Sequence, residues 1–170
     1  MSQTFIRFAT PRDVGIIVSL IRELADYEKL SHEVVLDEAA LSDHLFRPSP
    51  LIEVLLAEAA SEVVGFALFF SNYSTFLGKP GIHLEDLFVR PAHRGKGLGK
   101  ALLLRLAQLT VERDCGRLEW SVLDWNEPSI NFYKSLGALP MDEWTVFRLA
   151  GENLSKLAAL REEAVSRHIR

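Results

Sequence analysis

The segment Val89-Arg90-Pro91-Ala92-His93-Arg94-Gly95-Lys96-Gly97-Leu98-Gly99-Lys100 constrains this chain more than any other. An apolar run ends at Val89, three glycines recur at every second position from Gly95, and a long apolar helical pattern, Leu98 to Glu112, begins at once. Small residues so spaced let successive backbone N–H groups turn into one concavity at a helix N-terminus, which suits an anion. Arg94, Lys96 and Lys100 add positive charge at the same place. Two familiar phosphate-binding patterns are excluded. Ala101 stands where G-x-x-x-x-G-K-[ST] needs a hydroxyl, and the third glycine comes one residue early for G-x-G-x-x-G. A glycine-rich turn with solvated basic side chains would use the same residues, and that reading stays open.

The helix after the loop is apolar almost all round, so it packs deep against a sheet. Upstream, Thr4 to Ala9 reads as a strand, and Thr10, Pro11 and Asp13 supply a helix start. Val14, Ile17, Val18, Ile21, Leu24 and Ala25 then recur at helical spacing to about Tyr27. A second helix runs from near Asp37 to before Pro48. Leu51–Glu58 and Glu62–Phe70 are strands joined by a short link at Ala60-Ser61, and Gly78-Lys79-Pro80-Gly81 is a turn cluster leading into the strand His83–Val89. Downstream, Leu118–Leu123 reads as a strand, Pro128–Leu136 as a short helix ended by Gly137, and Trp144–Leu149 as a last strand. The tail from about Gly151 is charged and helical, with Leu157, Leu160 and Ala164 on one side. The order is mixed α/β, antiparallel in the middle with a later βαβ crossover.

With 170 residues and no linker, repeat or composition break, the chain is expected to form one domain over 1–170. Its 48% hydrophobic and 25% charged residues exclude disordered and low-complexity classes. A net charge of −4 argues against a general nucleic-acid binder. Cys115 is the only cysteine, which excludes an internal disulfide and a thiolate zinc site. His32, His44, His83, His93 and His168 show no ligand spacing, so no metal is assigned. No apolar run reaches the ~20 residues of a membrane span, and Met-Ser-Gln-Thr-Phe has no signal-peptide pattern. A cytoplasmic protein without membrane attachment is the expectation.

The stretch Arg94-Gly95-x-Gly97-x-Gly99-Lys100 resembles the pyrophosphate loop of the GNAT acetyltransferase superfamily. Three further stretches, His83-Leu84-Glu85-Asp86-Leu87-Phe88-Val89, Asp124-Trp125-Asn126-Glu127-Pro128-Ser129-Ile130-Asn131-Phe132-Tyr133-Lys134 and Glu23-Leu24-Ala25-Asp26-Tyr27-Glu28, are similar to its diamine (spermidine/spermine) acetyltransferase subgroup. The resemblance covers about Phe5 to Leu149. It implies a mixed, mostly antiparallel central sheet with splayed fourth and fifth strands flanked by helices. It also implies acetyl-CoA as co-substrate, a small cationic amine as acceptor, and a homodimer. The cofactor's pyrophosphate would lie on Arg94, Gly95, Lys96, Gly97, Leu98, Gly99 and Lys100. Its pantetheine arm would pair along a bulged strand at main-chain groups of Leu87, Phe88 and Val89. Asn126, Ser129 and Tyr133 would complete the cofactor contacts.

These residues also make sense as chemistry. An alkylamine with a pKa near ~10 arrives protonated at neutral pH and cannot attack a thioester until it loses a proton. By resemblance Glu85 binds and deprotonates the ammonium, directly or through water, and Tyr133 donates a proton to the leaving sulfur. No acyl-enzyme is needed. Alternation along a strand sends Glu85 and Asp86 to opposite faces, so only one of them is expected at the amine. Tyr27 and Glu28 match the subgroup's amine-binding positions, within a run of seven acids and one lysine from Glu23 to Asp43 that would attract cations. Plainer roles exist for each: an exposed strand carboxylate for Glu85, a core aromatic for Tyr133, an Asx turn and helix cap for Asn126 and Ser129, a solvated helix face for the acids. Ser74, where the long-polyamine acetylators carry an acid, points to short diamines or lysine-like amines. Protein or peptide N-acetylation and a non-catalytic acyl-CoA sensor are the competing functions.

Overall fold

The computed structural model describes residues 4–160. Tertiary contacts divide the chain into two units, the first reaching Leu123 and the second beginning at Asp124. In the first, five strands form one sheet in sequence order: β1 (Thr4–Phe8), β2 (Glu53–Ala59), β3 (Glu62–Ser74), β4 (Lys79–Val89) and β5 (Leu118–Trp120). The first four pair antiparallel and β5 joins β4 in parallel, giving the mixed, mostly antiparallel sheet.

Helices cover both faces. On one lie α1 (Val14–Glu28) and α2 (Glu38–Phe46), whose Ile17, Val18, Leu20, Leu24, Leu41 and Leu45 bury against Val54, Leu56, Phe66, Leu68 and Phe88. Alternation sends Leu55 and Ala67 to the other face, where α3 (Leu98–Glu112) seats Leu102 and Leu106, each wholly buried. Local chemistry sets the boundaries. Asp13 accepts from the Thr10 backbone N–H at 2.7 Å ahead of α1 and is gripped by Arg7 at 2.8 Å, which holds its carboxyl well below the usual range. Asp37 caps α2 by accepting from Ala40 N at 2.7 Å.

Three strand boundaries move. Gly78 carries the positive φ of the β3–β4 turn, whereas Lys79, Pro80 and Gly81 pair with Ser74, Tyr73 and Asn72 inside a long hairpin. Gly81 suits the close approach there, because a Cβ would crowd Asn72 Oδ1 and lie 3.3 Å from the Arg117 carbonyl. The fifth strand stops at Trp120, three residues short of the expected Leu123.

The second unit holds α4 (Glu127–Ser135) and α5 (Gly151–Ala158). The expected strand Trp144–Leu149 does not form. A strand exists only where another edge takes its hydrogen bonds, and this stretch pairs with none among the described residues, where Val146 and Phe147 are exposed. The tail opens with α5 at Gly151; Ala164 and His168 lie outside the described residues.

Candidate active site

The glycine loop is built for backbone approach. Gly95 and Gly97 hold φ of 72° and 83°, left-handed values that other residues resist, and no atom lies within 4 Å of where a Cβ would stand on either. Gly97 is the N-cap of α3, and Leu98 anchors the first turn in the core. The first-turn amides of α3 have no partner in the helix and carry the positive end of its dipole. An open, glycine-walled cradle ending on such amides fits a pyrophosphate. Gly99 differs from the other two glycines in lying inside the helix.

The basic residues divide. Lys96 Nζ donates to the Ala92 carbonyl at 3.0 Å. Arg94 points back into the fold: its Nε donates to the Val89 carbonyl at 2.8 Å, and its guanidinium lies over the rings of Tyr27 (4.4 Å) and Phe88 (5.5 Å). Tyr27 is thus joined to the start of the loop through a cation–π contact. Lys100 is exposed on the first turn of α3.

Upstream of the loop, β4 is both bulged and splayed. Its register against β3 slips between Leu68 and Phe69, so that Asp86 faces Leu68 and Leu84 faces Phe69, leaving Glu85 as the extra residue. Pairing with β5 covers only Ile82, His83 and Leu84. From Glu85 to Val89 the outer edge of β4 has no strand beside it among the described residues. Leu87, Phe88 and Val89 hold this open edge, with the Val89 carbonyl already an acceptor for Arg94.

The bulge overturns the alternation argument for the two acids. Asp86 is opposite Leu68, on the face covered by α1, where burial and the charges of Glu85 and Glu28 push its carboxyl up to about 7. Glu28, the last residue of α1, is half-buried and also shifted upward by burial. Glu85 is 56% exposed, with Oε2 3.7 Å from His83 Nε2. Glu28, Glu85 and Asp86 therefore form one field of negative potential, and sequence reasoning missed Asp86 because a bulge has no signature in one sequence. The wider acidic run is largely consumed by structure. Glu23 pairs with Arg90 at 2.8 Å, Asp26 accepts from Ser31 Oγ, and Asp37 is a cap.

In the second unit, Asn126 is buried and its side chain accepts from Ser129 N at 3.4 Å, the helix-cap role its residue type allows. Tyr133 lies half-buried on the same helix, its ring 5.4 Å from that of Phe132. Among the described residues no three His, Cys, Asp or Glu side chains gather as metal ligands, and no helix is long and apolar enough to cross a membrane.

A mixed sheet that splays beside a bulged strand and runs into a glycine cradle at a helix N-terminus defines an acyltransferase. Residues 17–138 match the acetyltransferase (GNAT) family, and the chain belongs to it. The chain is 39% identical to mouse (Mus musculus) thialysine N-epsilon-acetyltransferase, over 93% of this chain and 99% of that one. It is 35% identical to an L-ornithine N5-acetyltransferase of Arabidopsis thaliana, over 91% and 88%. Among solved structures, an integron cassette protein from the mobile metagenome of V. cholerae superposes with a TM-score of 0.78 at 28% identity, covering 92% of this chain and 98% of that one. The diamine-acetyltransferase resemblance and the N-acetyltransferase class are thereby established.

Proposed function

We propose that this protein transfers the acetyl group of acetyl-CoA to the primary amine of a short cationic diamine or lysine-like amine, by direct attack within a ternary complex. The observation that carries the reading is β4 itself, whose open edge joins a bulge bearing acids to an anion cradle. Bound acetyl-CoA would supply the thioester carbonyl and the sulfur that leaves.

The chain's own groups divide the remaining work. Backbone amides from Arg94 to Lys100 would hold the pyrophosphate, and main-chain groups of Leu87, Phe88 and Val89 the extended arm. Asn126, Ser129 and Tyr133 would hold the cofactor from α4. Tyr27 and Glu28 would receive the substrate's alkyl chain and charge. Glu85 would take the ammonium proton and Tyr133 would return one to the sulfur.

The mouse and Arabidopsis relatives act, by name, on thialysine and ornithine, both short amines bearing two nitrogens, which supports the substrate class. Ser74 supports it too: the side chain is buried and its Oγ accepts from Leu77 N at 3.3 Å, so it offers no carboxylate to a distant ammonium. The reading places both units in one catalytic domain, active as a cytoplasmic homodimer. Mass spectrometry of thialysine, ornithine, a short diamine, spermidine and spermine incubated with acetyl-CoA tests it. Acetylated short amines are expected. A strong preference for spermine would overturn the substrate class, and cofactor binding without turnover on any amine would overturn the enzyme reading in favour of a sensor.

A further inference from the structure

Acetylation of a protonated amine releases a proton. Two protons leave the nitrogen, one ends on the coenzyme A sulfur, and one goes to solvent. The proposed roles give that last proton an acceptor, Glu85, but no exit. Glu85 sits where β4 opens, the place assigned to the cofactor arm and amine, so its access to water falls when both are bound. We infer that His83 is the exit, a relay that receives the proton from Glu85 and passes it to Glu119 on the far side of the splay. The inference rests on the Glu85 assignment.

The sheet register sets this up. His83 is paired with Phe70 on β3 and with Glu119 on β5, so the three side chains stand in a row on one face. The imidazole stacks on the Phe70 ring at 5.0 Å between centroids and 29° between planes, which fixes its orientation. One nitrogen then faces each acid: Nε2 is 3.7 Å from Glu85 Oε2, and Nδ1 is 4.0 Å from Glu119 Oε1. A small side-chain rotation would bring each pair within hydrogen-bond reach. Glu119 is held in place from two sides, by Asn72 Nδ2 donating to Oε1 at 2.6 Å and by Arg117 Nε at 3.2 Å from Oε2. Asp86, the next residue of β4 on this face, joins these charged and polar neighbours of His83.

Imidazole can accept at one nitrogen while releasing from the other, which is what a relay between two carboxylates requires. In the step, the Glu85 carboxyl O–H donates to Nε2 of the neutral ring as the Nδ1 proton passes to the Glu119 carboxylate. Glu85 is left ionised for the next ammonium. Glu119, 40% exposed, gives the proton to water, and the ring regains its starting tautomer by exchange with solvent.

The experiment compares kcat/KM for the amine, at saturating acetyl-CoA, across rising concentrations of imidazole. With His83→Ala the rate should fall about tenfold or more, less than the ~10²-fold usual for an acid–base group because Glu85 retains some solvent access, and added imidazole should restore it. The wild-type rate should not respond to imidazole. His83→Gln keeps volume and polarity without a relay, so it should show the same loss with acetyl-CoA affinity unchanged; a structural histidine would tolerate that change. A rate within twofold of wild type in either variant overturns the relay, as does a His83→Ala loss that imidazole leaves untouched. Glu85→Gln separates the two claims. If it is as fast as wild type, the base assignment fails and the relay with it; if it is slow while His83→Ala is not, the relay alone fails.

Discussion

Replacing Asp86 with asparagine should make the protein more stable, and increasingly so as pH rises. The carboxyl lies under α1, pushed from the ordinary 3.8 to about 7 by burial, then by the charges of Glu85 and Glu28. Above the unfolded value the unfolded chain has lost this proton while the native chain keeps it. The native state therefore binds more protons, and stability falls with rising pH until the native carboxyl ionises near 7. One proton of difference is worth about 1.4 kcal/mol per pH unit, so between about pH 5 and about pH 8 this group removes about 2.5 kcal/mol. Asparagine has the same shape and does not titrate. Urea unfolding at both pH values should show the variant's advantage growing by that amount. If the two proteins keep a constant separation from the acid to the alkaline measurement, Asp86 is not held in a dehydrating, acid-rich site and the reasoning fails.

Gly97→Leu should abolish measurable acetyl-CoA binding, because a side chain at φ 83° strains the backbone and projects into the cradle; unchanged calorimetric affinity in a folded variant would remove the loop from the site. Tyr133→Phe should leave cofactor binding intact and lower kcat by ~10²-fold or more, and an unchanged kcat with chemistry rate-limiting would reject the proton-donor role. Light scattering should give twice the 19.1 kDa chain mass, and a monomer mass at micromolar concentration would refute the homodimer.

Most of the fold was legible because helix periodicity and turn chemistry are local. α1, α2 and α3 begin and end near their capping residues, and the two-residue turn at Ala60-Ser61 forms with both residues left-handed. What escaped was pairwise. The Gly78–Gly81 cluster reads as a turn, yet Pro80 and Gly81 lie opposite Tyr73 and Asn72 in a hairpin that only the partner strand reveals. Trp144–Leu149 has the pattern of a strand but takes no strand partner among the described residues. In the site, the loop glycines carried their own message, since their φ values follow from having no side chain. Arg94 did not: its place over Tyr27 depends on where α1 ends in space. His83 was within reach, two residues before Glu85 on the same strand, and Asp86 was not, because its face depends on one unpaired residue.

That unpaired residue makes β4 two half-strands out of phase. Up to Leu84 the odd positions share the α1 face with His83, whereas from Asp86 onward the even positions do, through Phe88. Because the ladder skips Glu85, each half keeps its own partners on β3. Deleting Glu85 would close the bulge into continuous pairing, with Asp86 still opposite Leu68 and Phe88 still opposite Phe66, so neither would leave the α1 face. Chains built this way can therefore alter or lose the residue at the splay without refacing the apolar floor under α1, so the acid there is separable from the fold that carries it.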